Sequence, residues 1–189
     1  MVWSLYNHHA NASECYYKTV NETPGRIGPP LAPPVASIRQ YFLEWLARDG
    51  YPYWPFWENI KSWWDIRHLP NVLLLHYANL TKNMPGEIRR IATFLDIDID
   101  PKTWPVILEH CSMDYMRAHG DRIVPLEGAF WTKGARTFIH KGTNGRWKQT
   151  LTDDDIRLYR DHAIAVLGVE CARWLETGTG MTASGNTLV

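Results

Sequence analysis

Cysteine is scarce in this chain of 189 residues, with Cys15, Cys111 and Cys171 the three present. So few and so scattered, they make neither a disulfide framework nor a C-x-x-C zinc site, and a reduced, cytoplasmic setting is expected. Charge of one sign is also lacking. Twenty Lys and Arg balance 20 Asp and Glu, which excludes wholesale binding to nucleic acid or an anionic membrane and makes any anion site local. No run of about 18 apolar residues is present, so no membrane span is expected. The opening M-V-W-S-L-Y-N-H-H-A-N-A lacks the basic region and long apolar core of a signal peptide. The sequons at Asn11, Asn21 and Asn79 are accordingly read as chance. His110, Cys111, Asp114 and His119 have no recognisable ligand spacing, so no metal is expected. No Ser–His–Asp or paired-carboxylate pattern can be assembled either.

What is abundant is tryptophan, ten residues in all, and a hydrophobic content of 45% that suits a globular fold. Large aromatics dominate core energetics, and core packing is the first reading for most of them. Residues 19–34, T-V-N-E-T-P-G-R-I-G-P-P-L-A-P-P, are too rich in Pro and Gly for helix or central strand and read as an excursion rather than a domain linker. Val35, Ile38, Phe42, Trp45 and Leu46 recur at helical spacing up to Gly50, and Trp57, Ile60 and Trp64 continue in a second helix closed by Pro70. The apolar run from Asn71 to Tyr77 predicts a buried parallel strand. Pro85 and Gly86 open a helix with Ile88, Ile91, Ala92 and Leu95 on one face, and another is predicted from Pro101 to His110. Thr137 to Ile139 reads as a short strand or an extended lead-in. Thr152 followed by Asp155 is a capping box, starting a helix that turns Ile156, Tyr159, Ala163 and Val166 inward and stops at Gly168. Residues 177–189 read as a disordered tail, leaving 1–176 as one domain. One predicted strand among many helices is an incomplete core for a parallel sheet.

H-K-G-T-N-G-R-W-K-Q, residues 140–149, is basic, broken by glycine, then basic again. Lys141 supplies a point charge, while Gly142 and Gly145 free backbone N–H groups to turn toward an anion. It is not a Walker A loop, because Arg146 and Trp147 follow the second glycine. From spacing alone, a phosphate grip and a solvated basic turn are equally good readings.

This stretch resembles the R-K-G-x-x-G-D-W-K-N-x-F-T signature of cytosolic-type sulfotransferases, which move a sulfuryl group from 3′-phosphoadenosine 5′-phosphosulfate (PAPS) to a hydroxyl or amine. Other segments are similar in the same order: W-E-N-I-K-S-W-W (57–64), N-V-L-L-L-H-Y-A-N-L-T-K-N (71–83), and the E-I-x-x-I-A-x-F-L pattern from Glu87 to Leu95. V-W-S-L-Y-N-H-H resembles the helix after the family's 3′-phosphate-binding Arg, and a bacterial branch of the family is expected.

The resemblance implies an α/β fold, the helix-rich part of a P-loop-like sulfotransferase with a parallel sheet whose N-terminal strands lie outside this chain. It implies that Lys141, Gly142, His140 and Ser4 hold the nucleotide's 3′-phosphate, His140 standing where the family has Arg. Tyr77, Cys111, Met113, Met116 and Phe138 would surround adenine. Tyr53, Trp54 and Trp57, within Y-P-Y-W-P-F-W, would border the acceptor, unless they simply pack beneath the excursion. PAPS would be the co-substrate, with a small-molecule acceptor. The family's dimer signature reads here as Lys148, Thr152, Asp153 and Arg157, and an Asp and an Arg at its apolar and acidic positions imply that this dimer is not formed. No P-K-S-G-T-T-W loop and no K-x-H base segment occur in the 189 residues. The chain is therefore expected to be a C-terminal portion, without its catalytic residues and inactive alone. The alternative is a non-catalytic module binding a nucleotide, an aromatic ligand or a sugar.

Overall fold

The computed structural model describes residues 1–53 and 55–180; Trp54 and residues 181–189 lie outside the described residues. Twelve α-helices follow one another there: α1 Val2–Ala10, α2 Glu14–Asn21, α3 Ile38–Ala47, α4 Phe56–Asp65, α5 Tyr77–Lys82, α6 Met84–Phe94, α7 Trp104–His110, α8 Met113–Ala118, α9 Gly120–Ile123, α10 Ala135–Phe138, α11 Asp153–Leu167 and α12 Val169–Thr177. The chain divides into two compact units, Met1–Arg48 with Glu109–Leu151, and Asp49–Leu108 with Thr152–Val189.

In the first unit α1 packs on α3 and α10. Apolar spacing on α3 buries Tyr41, Phe42, Trp45 and Leu46, and Trp45 is only 2% exposed. Trp3 and Tyr6 of α1 meet Phe42 and Tyr41, with ring centroids 6.2 and 5.2 Å apart. The Pro-rich excursion has no ladder of its own, so side chains hold its backbone instead. Asn21 clamps Leu31 at two points, accepting from its N–H at 2.7 Å and donating to its carbonyl at 3.0 Å. Buried His9 meets the Ala32 carbonyl through Nε2 at 2.8 Å, and Tyr6 donates to the carbonyl of Ala36.

In the second unit α11 packs on α4 and on α12. The capping box forms as predicted: Thr152 Oγ1 accepts from the Asp155 N–H at 3.2 Å, and the Asp155 carboxylate accepts from the Thr152 N–H at 2.9 Å. Gly168 ends α11 at φ +77°, but the next helix starts at once, and its Cys171, Ala172 and Trp174 join the core. Leu167 rather than Val166 closes the buried stripe of α11, sharing a face with Ala163 at i, i+4 spacing.

Three expectations are corrected. The parallel sheet is absent among the described residues, whose β pairing is an isolated antiparallel bridge between Ala12 and Trp131. Residues 72–76 form neither helix nor ladder, for a parallel strand needs a paired neighbour and none is paired with this segment. Side chains again substitute: Arg90 donates to the Leu74 carbonyl at 3.0 Å, and His76 caps α5 by accepting from the Ala78 N–H at 3.3 Å. Thr137 lies in α10, a single helical turn, not in a strand. The expected tail begins too early, since Thr177 is helical and Asn79 donates to the Gly178 carbonyl at 2.9 Å; its remainder, 181–189, lies outside the described residues. No helix is long and apolar enough to cross a membrane among the described residues.

Candidate functional site

The first unit gathers most of the predicted nucleotide ligands around the H-K-G turn. On α1, Ser4 and His8 stand one helical turn apart, and Ser4 Oγ lies 3.4 Å from His8 Nε2. The His8 ring packs on Phe138 and Trp131, at centroid distances of 5.0 and 5.8 Å. Phe138 ends α10 and keeps 39% of its surface exposed. Asn7 ties α1 to α10 by donating to the Thr137 carbonyl at 3.0 Å.

Helix α8 supports the turn from the other side. Ser112 caps it, accepting from the Tyr115 N–H at 3.1 Å, which sets Met113 and Met116 three residues apart on one face. Gly142 has φ +64°, and a Cβ there would sit 2.9 Å from Met113 Cε. A side chain is therefore disfavoured by backbone and neighbour alike, as befits a turn that a ligand approaches closely. Arg117, one turn further on, donates to the carbonyls of His140 and Lys141 at 3.1 and 3.4 Å and pairs with Asp114 at 3.5 Å. Those bonds hold the turn by its carbonyls, whereas an anion calls on N–H donors.

The field at the turn is positive. Burial first, then the charges of Arg146, Lys141 and Arg117, hold the His140 imidazole below its ordinary range. Burial, then His140, does the same to His8. Both rings enclose an Nδ1 that lacks a hydrogen-bond partner. Two groups not assigned to the site from the sequence join it, Arg117 and His8. His8 lies in the V-W-S-L-Y-N-H-H segment, next to the site in sequence, and Arg117 follows Met116.

Cys111 is exposed just ahead of α8. Of the residues weighed as a metal set, His110 and His119 stack on the two sides of Tyr115, at 4.2 and 4.0 Å. Among the described residues no three His, Cys, Asp or Glu side chains form a metal-sized cluster.

Tyr77 belongs to the second unit, where it starts α5 and is 51% exposed, so it is not a core aromatic. Trp57 is buried, 3% exposed, against Phe56, Tyr159 and His162. That gives it a core position rather than an open wall, and its neighbour's own burial, then the Glu176 charge, pushes the Tyr159 phenol up to about 12. Two open hollows lie along α4. One of about 590 Å³ is lined by Asp49, Trp57, Glu58, Lys61 and His162. The other, of about 610 Å³, is lined by exposed Tyr53 with Pro55, Phe56 and Asn59. Trp54 lies outside the described residues. Thr152 and Asp153, taken from the dimer signature, here cap and open α11, and Arg157 pairs with Asp154 one turn along.

The family model for the sulfotransferase domain matches residues 1–167. Sulfotransferase 2A6 of Rattus norvegicus is 30% identical over 111 residues, covering 59% of this chain and 39% of that protein. The 3-alpha-hydroxysteroid sulfotransferase of Cavia porcellus is 29% identical over 114 residues, covering 60% and 39%. Among solved structures, mouse sulfotransferase SULT7A1 complexed with PAP superposes with a TM-score of 0.65 at 18% identity, over 93% of this chain and 57% of that one. Retinol dehydratase in complex with androsterone and PAP gives 0.57 at 22%, over 85% and 43%. The chain spans less than half the length of the curated relatives it matches.

Proposed function

The chain belongs to the sulfotransferase domain family, and from that premise we propose that it provides the nucleotide-binding part of a PAPS-dependent sulfuryl transfer. The observation that carries the reading is the H-K-G turn: a left-handed Gly142 lying against the Met113 side chain, beside Lys141, in a positive field. Those features fit a phosphate monoester, the 3′-phosphate of the co-substrate. Lys141 gives the charge, the Gly142 amide and Ser4 hydroxyl give donors, and Arg117 fixes the turn by occupying two of its carbonyls. Phe138, Met113 and Met116 supply flat and soft apolar surface to the adenine, with Cys111 as a further contact. Tyr77 is kept as an adenine contact on the strength of the family resemblance alone. When bound, PAPS supplies the sulfuryl group that passes to a hydroxyl or amine.

His140 is the weak point of this grip. A neutral imidazole offers one donor where a guanidinium offers a charged fork, so phosphate affinity at neutral pH is lower than Arg would give. The acceptor is a small molecule seated along α4, with exposed Tyr53 beside half-buried Phe56 as its wall and buried Trp57 beneath it. The 189 residues hold no phosphosulfate loop motif, so this chain by itself binds nucleotide without turning over.

Two titrations test the proposal. Adenosine 3′,5′-bisphosphate should bind the chain and adenosine 5′-monophosphate, lacking the 3′-phosphate, should bind at least about tenfold more weakly, one lost charged hydrogen bond being worth roughly 1.5–3 kcal/mol. Equal affinity for both would refute the subsite. Incubation with PAPS and a phenolic acceptor should give no sulfated product, and product formation would refute the inactivity of this chain alone.

A further inference from the structure

His8 packs on Phe138, two residues ahead of the H-K-G turn that carries His140. His8, from α1, and His140, from the turn, come from 132 positions apart in sequence yet interact electrostatically. Each encloses an Nδ1 with no hydrogen-bond partner. His8 Nε2 is also 3.4 Å from Ser4 Oγ, and Ser4 and His140 are two of the groups assigned above to the phosphate. A neutral imidazole whose neighbours are cationic is a poor base until an anion arrives, because each added positive charge disfavours the imidazolium.

We propose that His8 is the second imidazole of the 3′-phosphate subsite, and that the His8–His140 pair recognises a dianionic phosphate monoester by taking up a proton as it binds. The inference rests on the nucleotide reading above. In the free protein burial disfavours the imidazolium of both rings, with His140 adding to the effect at His8, and Arg146, Lys141 and Arg117 adding to it at His140. A bound dianion offsets most of that field and adds a negative partner, so the imidazolium is favoured relative to the free protein and the proton comes from solvent. No covalent bond changes, and the proton returns when the ligand leaves. The same logic gives the site selectivity, since a neutral or cationic ligand gains nothing from the pair.

The surrounding charges leave the pair as the titrating element. From α8 come Arg117 and Asp114, which pair with each other. The turn brings Lys141, Arg146 stands a few residues beyond it, and α10 brings Arg136. Helix α3 meets α1 through the rings of Tyr41 and Phe42. The Met1 α-ammonium lies near Arg146 and is held low by burial and then by that charge, so it titrates too. Its contribution, and that of the ligand's own phosphate with a pKa near about 6, is common to wild type and variants and cancels in their difference.

The experiment is calorimetric titration of adenosine 3′,5′-bisphosphate into the 189-residue chain, in buffers of different ionisation enthalpy, across about pH 5.5 to 8.5 where imidazoles titrate. Wild type should take up more protons than His8→Gln, and its affinity should rise toward low pH by up to about tenfold per unit more steeply, the limit for one linked proton. His140→Arg, which installs a permanent cation, should bind more tightly at the alkaline end and lose part of the slope. Circular dichroism of each variant checks folding, and His8→Phe, which keeps the ring packing on Phe138, should behave as His8→Gln does. Equal proton uptake by wild type and both His8 variants would overturn the pair while leaving the nucleotide reading intact. Binding absent at every pH would overturn both.

Discussion

Gly128 offers the sharpest test of how the site is built. It closes the turn that precedes α10, at φ +83°, where an L side chain is strained. A Cβ at this position would lie 2.3 Å from the Ala135 backbone nitrogen and 2.6 Å from the Gly134 carbonyl carbon. Neither contact is a flexible side-chain end, so relief requires moving the backbone that starts α10. The left-handed conformation alone costs roughly 1–2 kcal/mol for a residue with a Cβ. Overpacking a tight site adds typically about 1–3 kcal/mol, so Gly128→Ala should destabilise by roughly 2–5 kcal/mol. That is a large share of the roughly 5–15 kcal/mol that holds a domain together. Gly142→Ala makes the control. Its φ strain is similar, but its Cβ meets the terminal methyl of Met113, which can swing away, so it should lose only about 1–2 kcal/mol. Urea unfolding followed by circular dichroism reads both. Equal losses, or a loss below about 1 kcal/mol for Gly128→Ala, would refute the claim that backbone overlap governs this turn.

Further outcomes rest on the same contacts. Thr152→Ala removes one half of the capping box and should cost about 0.5–2 kcal/mol of unfolding free energy, whereas Thr152→Ser should be close to neutral. Acid should weaken the fold above the carboxylate range. Burial, the largest cause, holds His8, His9 and His140 below the ordinary imidazole value. The unfolded chain therefore binds more protons as pH falls below about 6.5, and stability is full above that value and lost through the lowered folded-state values. Urea midpoints should fall between pH 7.5 and 5.5, and His9→Gln should flatten part of the slope; a midpoint that rises toward pH 5.5 contradicts the sign. Arg117→Ala should weaken adenosine 3′,5′-bisphosphate with little change in urea midpoint, and Arg117→Lys should restore it partly; a loss confined to stability would make its role structural only.

How much of this was legible in the sequence differs by element. The capping box and the apolar stripe of α3 were readable because each is a local spacing with a local cause. The Asn71 to Tyr77 run carries the composition of a buried strand, but composition cannot supply the neighbour whose ladder makes it one. In its absence Arg90 and His76 satisfy the backbone, and α5 begins at Tyr77. The stretch Thr137 to Ile139 misleads through its β-branched residues, overridden by the turn at Gly134 that starts α10. Helix α12 was hidden because Gly168 ends one helix and opens the next. Of the site, the H-K-G turn was visible as a glycine-broken basic stretch. His8 lies in the V-W-S-L-Y-N-H-H segment but has no assigned role there, and Arg117 gives no signal. Their roles depend on contacts between α1, α8 and a turn far along the chain.

The central claim is that the H-K-G turn grips the 3′-phosphate of a nucleotide, and Lys141→Ala tests it most directly. Removing a charged donor from a phosphate should cost about 1.5–3 kcal/mol of binding, a loss of roughly ten- to 150-fold in affinity for adenosine 3′,5′-bisphosphate by calorimetry. The loss should be small for adenosine 5′-monophosphate. Unchanged affinity for the bisphosphate in Lys141→Ala would contradict the account and move the ligand elsewhere in the molecule.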